Sequence, residues 1–332
     1  MAYSDLWKYC TAKHCNDLLI SMDLLAPAGL TPDKQLACLY ELSNRPERHY
    51  RTVRLPKRDG SFRRIDAPDF LMKTAQFNLL DHFLEQQPVS PYAAAYFKGA
   101  APAVHARRHT GAKLLLKLDI KDFFPNITFA MVLQAAFPNR LLPPAVALLL
   151  TNICCLRESL PQGSPASPYI SNLVMRPFDD YMGGWCEEQG IHYSRYCDDM
   201  TFSGDFDCEM VLYKARGFLG AMGFSLNHRK TCIVSAGQRQ TVTGVVVNEK
   251  VQVSRTYRKK IRQEIYYCRK FGVQSHLARC HNDTPPALYL NALLGKINWV
   301  LSANPEDAEF LAYRSQVREW INCPFVFPEK TS

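Results

Sequence analysis

The sequence predicts an α+β chain, on three observations. Apolar residues recur at helical spacing towards both ends, short runs rich in β-branched residues occupy the middle, and Gly- or Asp-centred turns punctuate them. With 332 residues, 47% of them hydrophobic and 21% charged, the chain is long enough for one large core or several smaller ones. No apolar run reaches the roughly 18 residues that a membrane helix needs, so no membrane partner is expected. The first residues lack a basic stretch followed by an apolar one, and the 12 cysteines are scattered rather than paired. Both features point to a cytoplasmic location and reduced thiols.

Taken in order, residues 1–48 read as helices, with apolar spacing over 15–25 and 34–42 on either side of the break Pro27-Ala-Gly-Leu-Thr-Pro32. The period then changes. Over 50–68 two short strands joined at Asp59-Gly60 make a hairpin that carries Lys57, Arg58, Arg63 and Arg64. A helix is expected over 73–86, then a buried strand over 113–120, Lys-Leu-Leu-Leu-Lys-Leu-Asp-Ile, with Asp119 near its end. A Gly/Ser/Pro-rich turn at 162 opens a helix to about 188, and 191–203 give strand, turn and strand around Tyr196-Cys-Asp198-Asp199. A helix over 210–222, a β-rich stretch to Val253 and a helical remainder broken at Pro285-Pro286 complete the chain.

The formal net charge of +9 favours a polyanionic partner, and its distribution says more than its total. Residues 255–270 hold Arg255, Arg258, Lys259, Lys260, Arg262, Arg269 and Lys270 against the single acid Glu264, with Tyr257, Tyr266 and Tyr267 interleaved. Such a stripe suits a phosphate backbone; the alternative is a solvated helix face.

Three acids stand out. Asp119 ends a buried strand, and Asp198-Asp199 occupy the tightest part of a hairpin. Phosphoryl transfer assisted by two metal ions needs carboxylates delivered from separate strand ends to ions about 4 Å apart. These positions meet that need, although a helix cap or a turn former would account for each acid alone.

Together these segments resemble the reverse transcriptase family. Leu-Lys-Leu-Asp119-Ile120-Lys-Asp-Phe-Phe-Pro looks like its first catalytic motif and Tyr196-Cys-Asp198-Asp199 like its second. Between them, Leu160-Pro-Gln162-Gly163-Ser-Pro-Ala-Ser-Pro168 is similar to the segment under the incoming nucleotide and template. The resemblance spans about residues 50–320 and implies a right-hand polymerase. After an N-terminal helical segment at 1–48, the fingers would occupy 49–118. The palm would occupy 119–253, with fingers elements inserted between 125 and 160, and a mainly helical thumb 254–332. It implies two Mg2+ ions, for which Mn2+ can substitute, held by Asp119, Ile120, Asp198 and Asp199, and Lys230 as the proton donor to leaving pyrophosphate. The dNTP would meet Lys57, Arg63, Gln162, Gly163 and Phe124, the last against the sugar 2′ position. Phe123 and Phe124 cannot both face one side of an extended segment, so one is expected in the core and the other at the gate.

Several features are similar to the bacterial retron branch. Val242-Thr243-Gly244 matches its typical triplet, and His105-Ala-Arg107-Arg108-His109 resembles its Asn-Ala-x-x-His element with His in place of Asn. Cys197 stands where Ala is usual, and Leu293 to Pro305 resembles the end of retron thumbs. These segments, with Tyr196, Arg255, Arg258, Lys259 and Arg262, are the expected nucleic-acid contacts. Little chain follows the thumb, so no ribonuclease H domain is expected. The branch implies a structured noncoding RNA as primer and template, priming from a guanosine 2′-hydroxyl, a branched RNA–DNA product (msDNA) and an effector protein in defence against phage. Two alternatives stand beside it: an abortive-infection or intron-derived enzyme of the same chemistry, and an RNA-binding scaffold for a toxin.

Overall fold

A computed structural model describes residues 6–56 and 60–322. In chain order, α1 (Ala12–Ser21) and α2 (Pro32–Asn44) precede β1 (Tyr50–Pro56) and β2 (Phe62–Pro68), and α3 (Phe70–His82) and α4 (Pro102–Arg107) lead to β3 (Leu114–Asp119). Helices α5 (Phe123–Asn126), α6 (Phe129–Ala136), α7 (Pro144–Cys154) and α8 (Ser167–Glu188) separate it from β4 (His192–Tyr196) and β5 (Asp199–Gly204). Helix α9 (Cys208–Ala221) is followed by the short strands β6 (Cys232–Ser235), β7 (Thr241–Val242) and β8 (Val245–Val246). The remainder is α10 (Arg255–Phe271), α11 (Val273–Arg279), α12 (Pro286–Ala303) and α13 (Ala308–Asn322). The α+β expectation holds, and no helix among the described residues is long and apolar enough to cross a membrane.

The chain forms two units, the first being Met1–Ala100, Leu116–Phe202 and Phe206–Ile233. There β1 and β2 pair antiparallel from Tyr50↔Pro68 to Pro56↔Phe62, the hairpin expected over 50–68, while Asp59 of its turn lies outside the described residues. A four-stranded sheet has the order β4-β5-β3-β6. In β3, Leu116 and Leu118 are buried on one face and Asp119 on the other, so the strand is covered on both faces. Helix α8 presents Ile170, Val174, Phe178 and Met182 to the core, a helical period of four, and Asn172 and Asp179, seven apart, share another buried stripe.

The second unit is Ala101–Leu115, Ser203–Asp205 and Val234–Ser332. Ser254 caps α10, and Ile261, Ile265 and Cys268 join Leu293, Ile297 and Val300 of α12 in one apolar cluster. Arg255, Lys259, Lys260, Arg262, Arg269 and Lys270 are exposed.

Candidate active site

Strand β3 carries Asp119 to its end, where the residue is buried. Two sets of backbone bonds stitch that end in place. Ile120 N–H donates to the Asp198 carbonyl at 3.0 Å, while Asn227 N–H donates to the Asp119 carbonyl at 2.8 Å and Lys121 N–H to the Ser225 carbonyl at 2.9 Å. The β4–β5 turn closes through Cys197 in the left-handed region, φ +63°, a conformation that suits a two-residue turn. As a result Asp119, Asp198 and Asp199 each offer a carboxylate oxygen within 4.8 Å of the others, two from one hairpin and one from a neighbouring strand.

Like charges this close oppose one another. The Asp199 carboxyl is pushed up to about 6, first by desolvation and then by the charges of Asp198 and Asp119, with Lys117 and Lys230 acting against the shift. Lys230 Nζ lies 2.6 Å from Asp119 Oδ2, and that bond raises the ammonium pKa. Three carboxylates against two lysines form an oxygen-only donor set under-supplied with positive charge, the chemistry that hard divalent cations take. The residues therefore fit such an ion.

Around the triad, Gly163 has φ +135°, and a Cβ there would run into the Asp66 carbonyl; Asp66 N–H donates to the Gln162 carbonyl at 2.7 Å. The Gln162-Gly163 loop thus docks backbone to backbone on β2, which only glycine permits. A Cβ at Gly163 would also touch Ile65, which shares one face of β2 with Arg63, whereas Arg64 turns to the other face and binds Asp66 Oδ1. Arg63 is exposed, and Lys57 and Arg58 lie outside the described residues. Phe123 and Phe124 sit in the short helix α5 rather than an extended segment, yet they still diverge: Phe123 is buried beside Phe224, and Phe124 is half-buried. Tyr196 is half-buried and packs near Tyr96.

One group escaped the sequence reading. Arg195, immediately before Tyr196, is wholly buried, as is Asp179, and their charged ends meet at 2.6 Å. The signal available was an arginine inside a strand together with Asn172 and Asp179 on one helical stripe.

In the second unit several expected nucleic-acid contacts take other roles. His105, His109 and Val242 are buried, and His109 Nδ1 lies 2.7 Å from Ser203 Oγ, so these side chains hold the unit together instead of facing solvent. Thr243 and Gly244 have φ +47° and +81° and form the tight turn between β7 and β8, with Thr243 Oγ1 donating to the Pro102 carbonyl. Arg258 Nη2 binds Asp307 Oδ2 at 2.6 Å, and Arg262 takes Glu309 in a two-point ion pair at 2.6 and 2.7 Å. Those two arginines belong to the α10–α13 packing. Arg107, Arg108, Arg255 and Lys259 are exposed.

The sequence signature of the family "Reverse transcriptase (RNA-dependent DNA polymerase)" matches residues 55–267. The chain is 33% identical over 291 residues to the retron Mx65 reverse transcriptase of Myxococcus xanthus, covering 82% of this chain but 65% of that relative's length. It is 33% identical over 242 residues to the retron Ec86 reverse transcriptase of Escherichia coli, covering 70% of each. A solved apo telomerase from Candida tropicalis, truncated from its C-terminal domain, aligns at 12% identity and a TM-score of 0.46 over 62% of this chain and 55% of that one. Matched signature, carboxylate triad and retron relatives agree, and the chain belongs to the reverse transcriptases, among the retron enzymes of bacteria.

Proposed function

We propose that the chain copies a structured noncoding RNA into DNA, with Asp119, Asp198 and Asp199 holding two Mg2+ ions. The observation that carries this reading is the convergence of those three carboxylates within 4.8 Å on a donor set that suits a hard cation. When bound, the ions supply electrostatic stabilisation of the charge that develops on the phosphates. The chain's own residues do the rest. The Gln162-Gly163 backbone brings template and nucleotide close to β2, Arg63 on the same side meets the triphosphate, and Phe124 crowds the sugar 2′ position, which favours DNA as product. Lys230, beside Asp119, is the proton source for the leaving pyrophosphate in this account. In this reading fingers, palm and thumb occupy 49–118, 119–253 and 254–332, a division by role that differs from the two compact units.

Likeness to retron reverse transcriptases is what supports the finer reading; in it the RNA serves as both primer and template, the product is msDNA, and an effector protein joins the complex in defence against phage. Sequencing the nucleic acid that copurifies with the protein tests it. A branched RNA–DNA species encoded beside the gene is expected, and an unbranched product or RNA alone would move the chain to another small reverse transcriptase. Full phage protection by Asp198→Ala would instead make the protein a scaffold.

A further inference from the structure

We propose that Arg195, held by Asp179 and Asn172, is a positioning residue that fixes the turn bearing Asp198 so that the three carboxylates meet at one cation-binding point. The proposal rests on the polymerase reading of that triad.

Each nitrogen of this buried side chain makes a hydrogen bond. Nε donates to Asp179 Oδ1 at 2.9 Å, and Nη2 to Asp179 Oδ2 at 2.6 Å and to Asn172 Oδ1 at 3.1 Å. Nη1 reaches the Cys197 carbonyl at 2.8 Å. Asp179 also accepts from Tyr193 OH at 2.8 Å, and Asn172 Nδ2 donates to the Ala95 carbonyl at 2.7 Å. The Arg195 backbone is pinned as well, its N–H to the Tyr92 carbonyl at 2.9 Å and its carbonyl to Ala94 N–H at 2.8 Å.

Stability does not explain such a pair. Desolvating a guanidinium and a carboxylate can cost more than their attraction returns, and apolar residues of similar volume often serve as well or better. Tyr193, which bonds Asp179 and whose ring neighbours Phe178 and Phe202, supplies aromatic surroundings that would accept them. What an apolar pair would lose is the bond to the Cys197 carbonyl. That carbonyl belongs to the peptide preceding Asp198, in a left-handed residue, while the peptide following Asp198 is held by Ile120 N–H. Arg195 and Ile120 therefore fix both peptide planes that flank Asp198. Loss of the first lets the carboxylate swing, and displacement on the ångström scale is enough to cost catalysis.

The full-length chain carrying Arg195→Met, Asp179→Leu and Tyr193→Phe together tests the point. We compare it with wild type for thermal melting, Mn2+ binding by electron paramagnetic resonance, and dTTP incorporation on oligo(dT)-primed poly(rA). A cooperative melt near that of wild type is expected, with weaker Mn2+ binding and kcat lowered about a hundredfold. The dTTP KM should stay within roughly threefold, because the nucleotide contacts lie elsewhere. Arg195→Lys keeps the charge beside Asp179 without reaching all three partners, and should fall between the two. A folded triple variant with wild-type kcat and Mn2+ affinity overturns the proposal. If the triple variant does not melt cooperatively, wild-type values in Arg195→Lys overturn it equally. Asp198→Asn runs in parallel: wild-type extension there would defeat the polymerase reading itself.

Discussion

At Gly163 the backbone sits at φ +135° against the Asp66 carbonyl, so a side chain meets both strain and collision. Gly163→Ala should cost about 1–3 kcal/mol locally and raise the dNTP KM roughly tenfold by lifting the loop from β2. Steady-state kinetics checks this, and an unchanged KM would show that the docking does not shape the nucleotide site. The two phenylalanines separate by burial. Phe124→Ala removes a half-buried ring, and incorporation of ribonucleotides should rise with little change in melting. Phe123→Ala empties part of the core beside Phe224 and should destabilise by about 3–5 kcal/mol. If ribonucleotide discrimination survives Phe124→Ala, the gate is another residue. That one ring is core and the other is not could be read from adjacency alone; which is which needed the tertiary environment, because α5 replaces the expected extended segment.

Helix α10 shows what a single element reveals and hides. Its cations were visible in the sequence, but the partners of Arg258 and Arg262 lie 49 and 47 residues away on or beside α13, beyond any local pattern. Arg258→Ala strands the buried Asp307 carboxylate, so the second unit should lose about 3 kcal/mol, read by denaturant unfolding. Replacing exposed Arg255, Lys259 and Lys260 with Ala should leave melting unchanged, weaken RNA binding and flatten its salt dependence by about two units of log–log slope. An unaltered slope would make this face merely solvated. Helix α4 supplies a pH dependence. Burial first, then the charge of Arg108, pushes His105 down to about 4 from 6.5. The unfolded chain gains that proton below about pH 6.5 and the folded one only near 4, so stability falls as pH drops through that window, by on the order of 3 kcal/mol. His105→Leu should remove this part of the slope in unfolding measured from pH 7.5 to about 4; an identical slope would place the titration elsewhere.

Across the whole molecule each unit has its own apolar cluster, and that of the first unit surrounds the sheet end where three acids converge. The order of elements, the β1–β2 hairpin, the buried β3 and the acid turn were legible because each follows from local period and turn chemistry. The Arg195–Asp179 pair, the α10–α13 ion pairs and the burial of His105 and His109 were not, since they depend on which distant segments pack together. The proposed role of Asp119, Asp198 and Asp199 is to make this chain an RNA-copying DNA polymerase. Its most direct test is primer extension on an RNA template by the full-length chain and by Asp198→Asn, each at saturating primer–template with Mg2+, alongside RNA affinity measured without nucleotide. Wild type should yield templated DNA while Asp198→Asn yields none, at RNA affinity within about threefold because the basic surface is intact. Wild-type extension by Asp198→Asn would contradict the account.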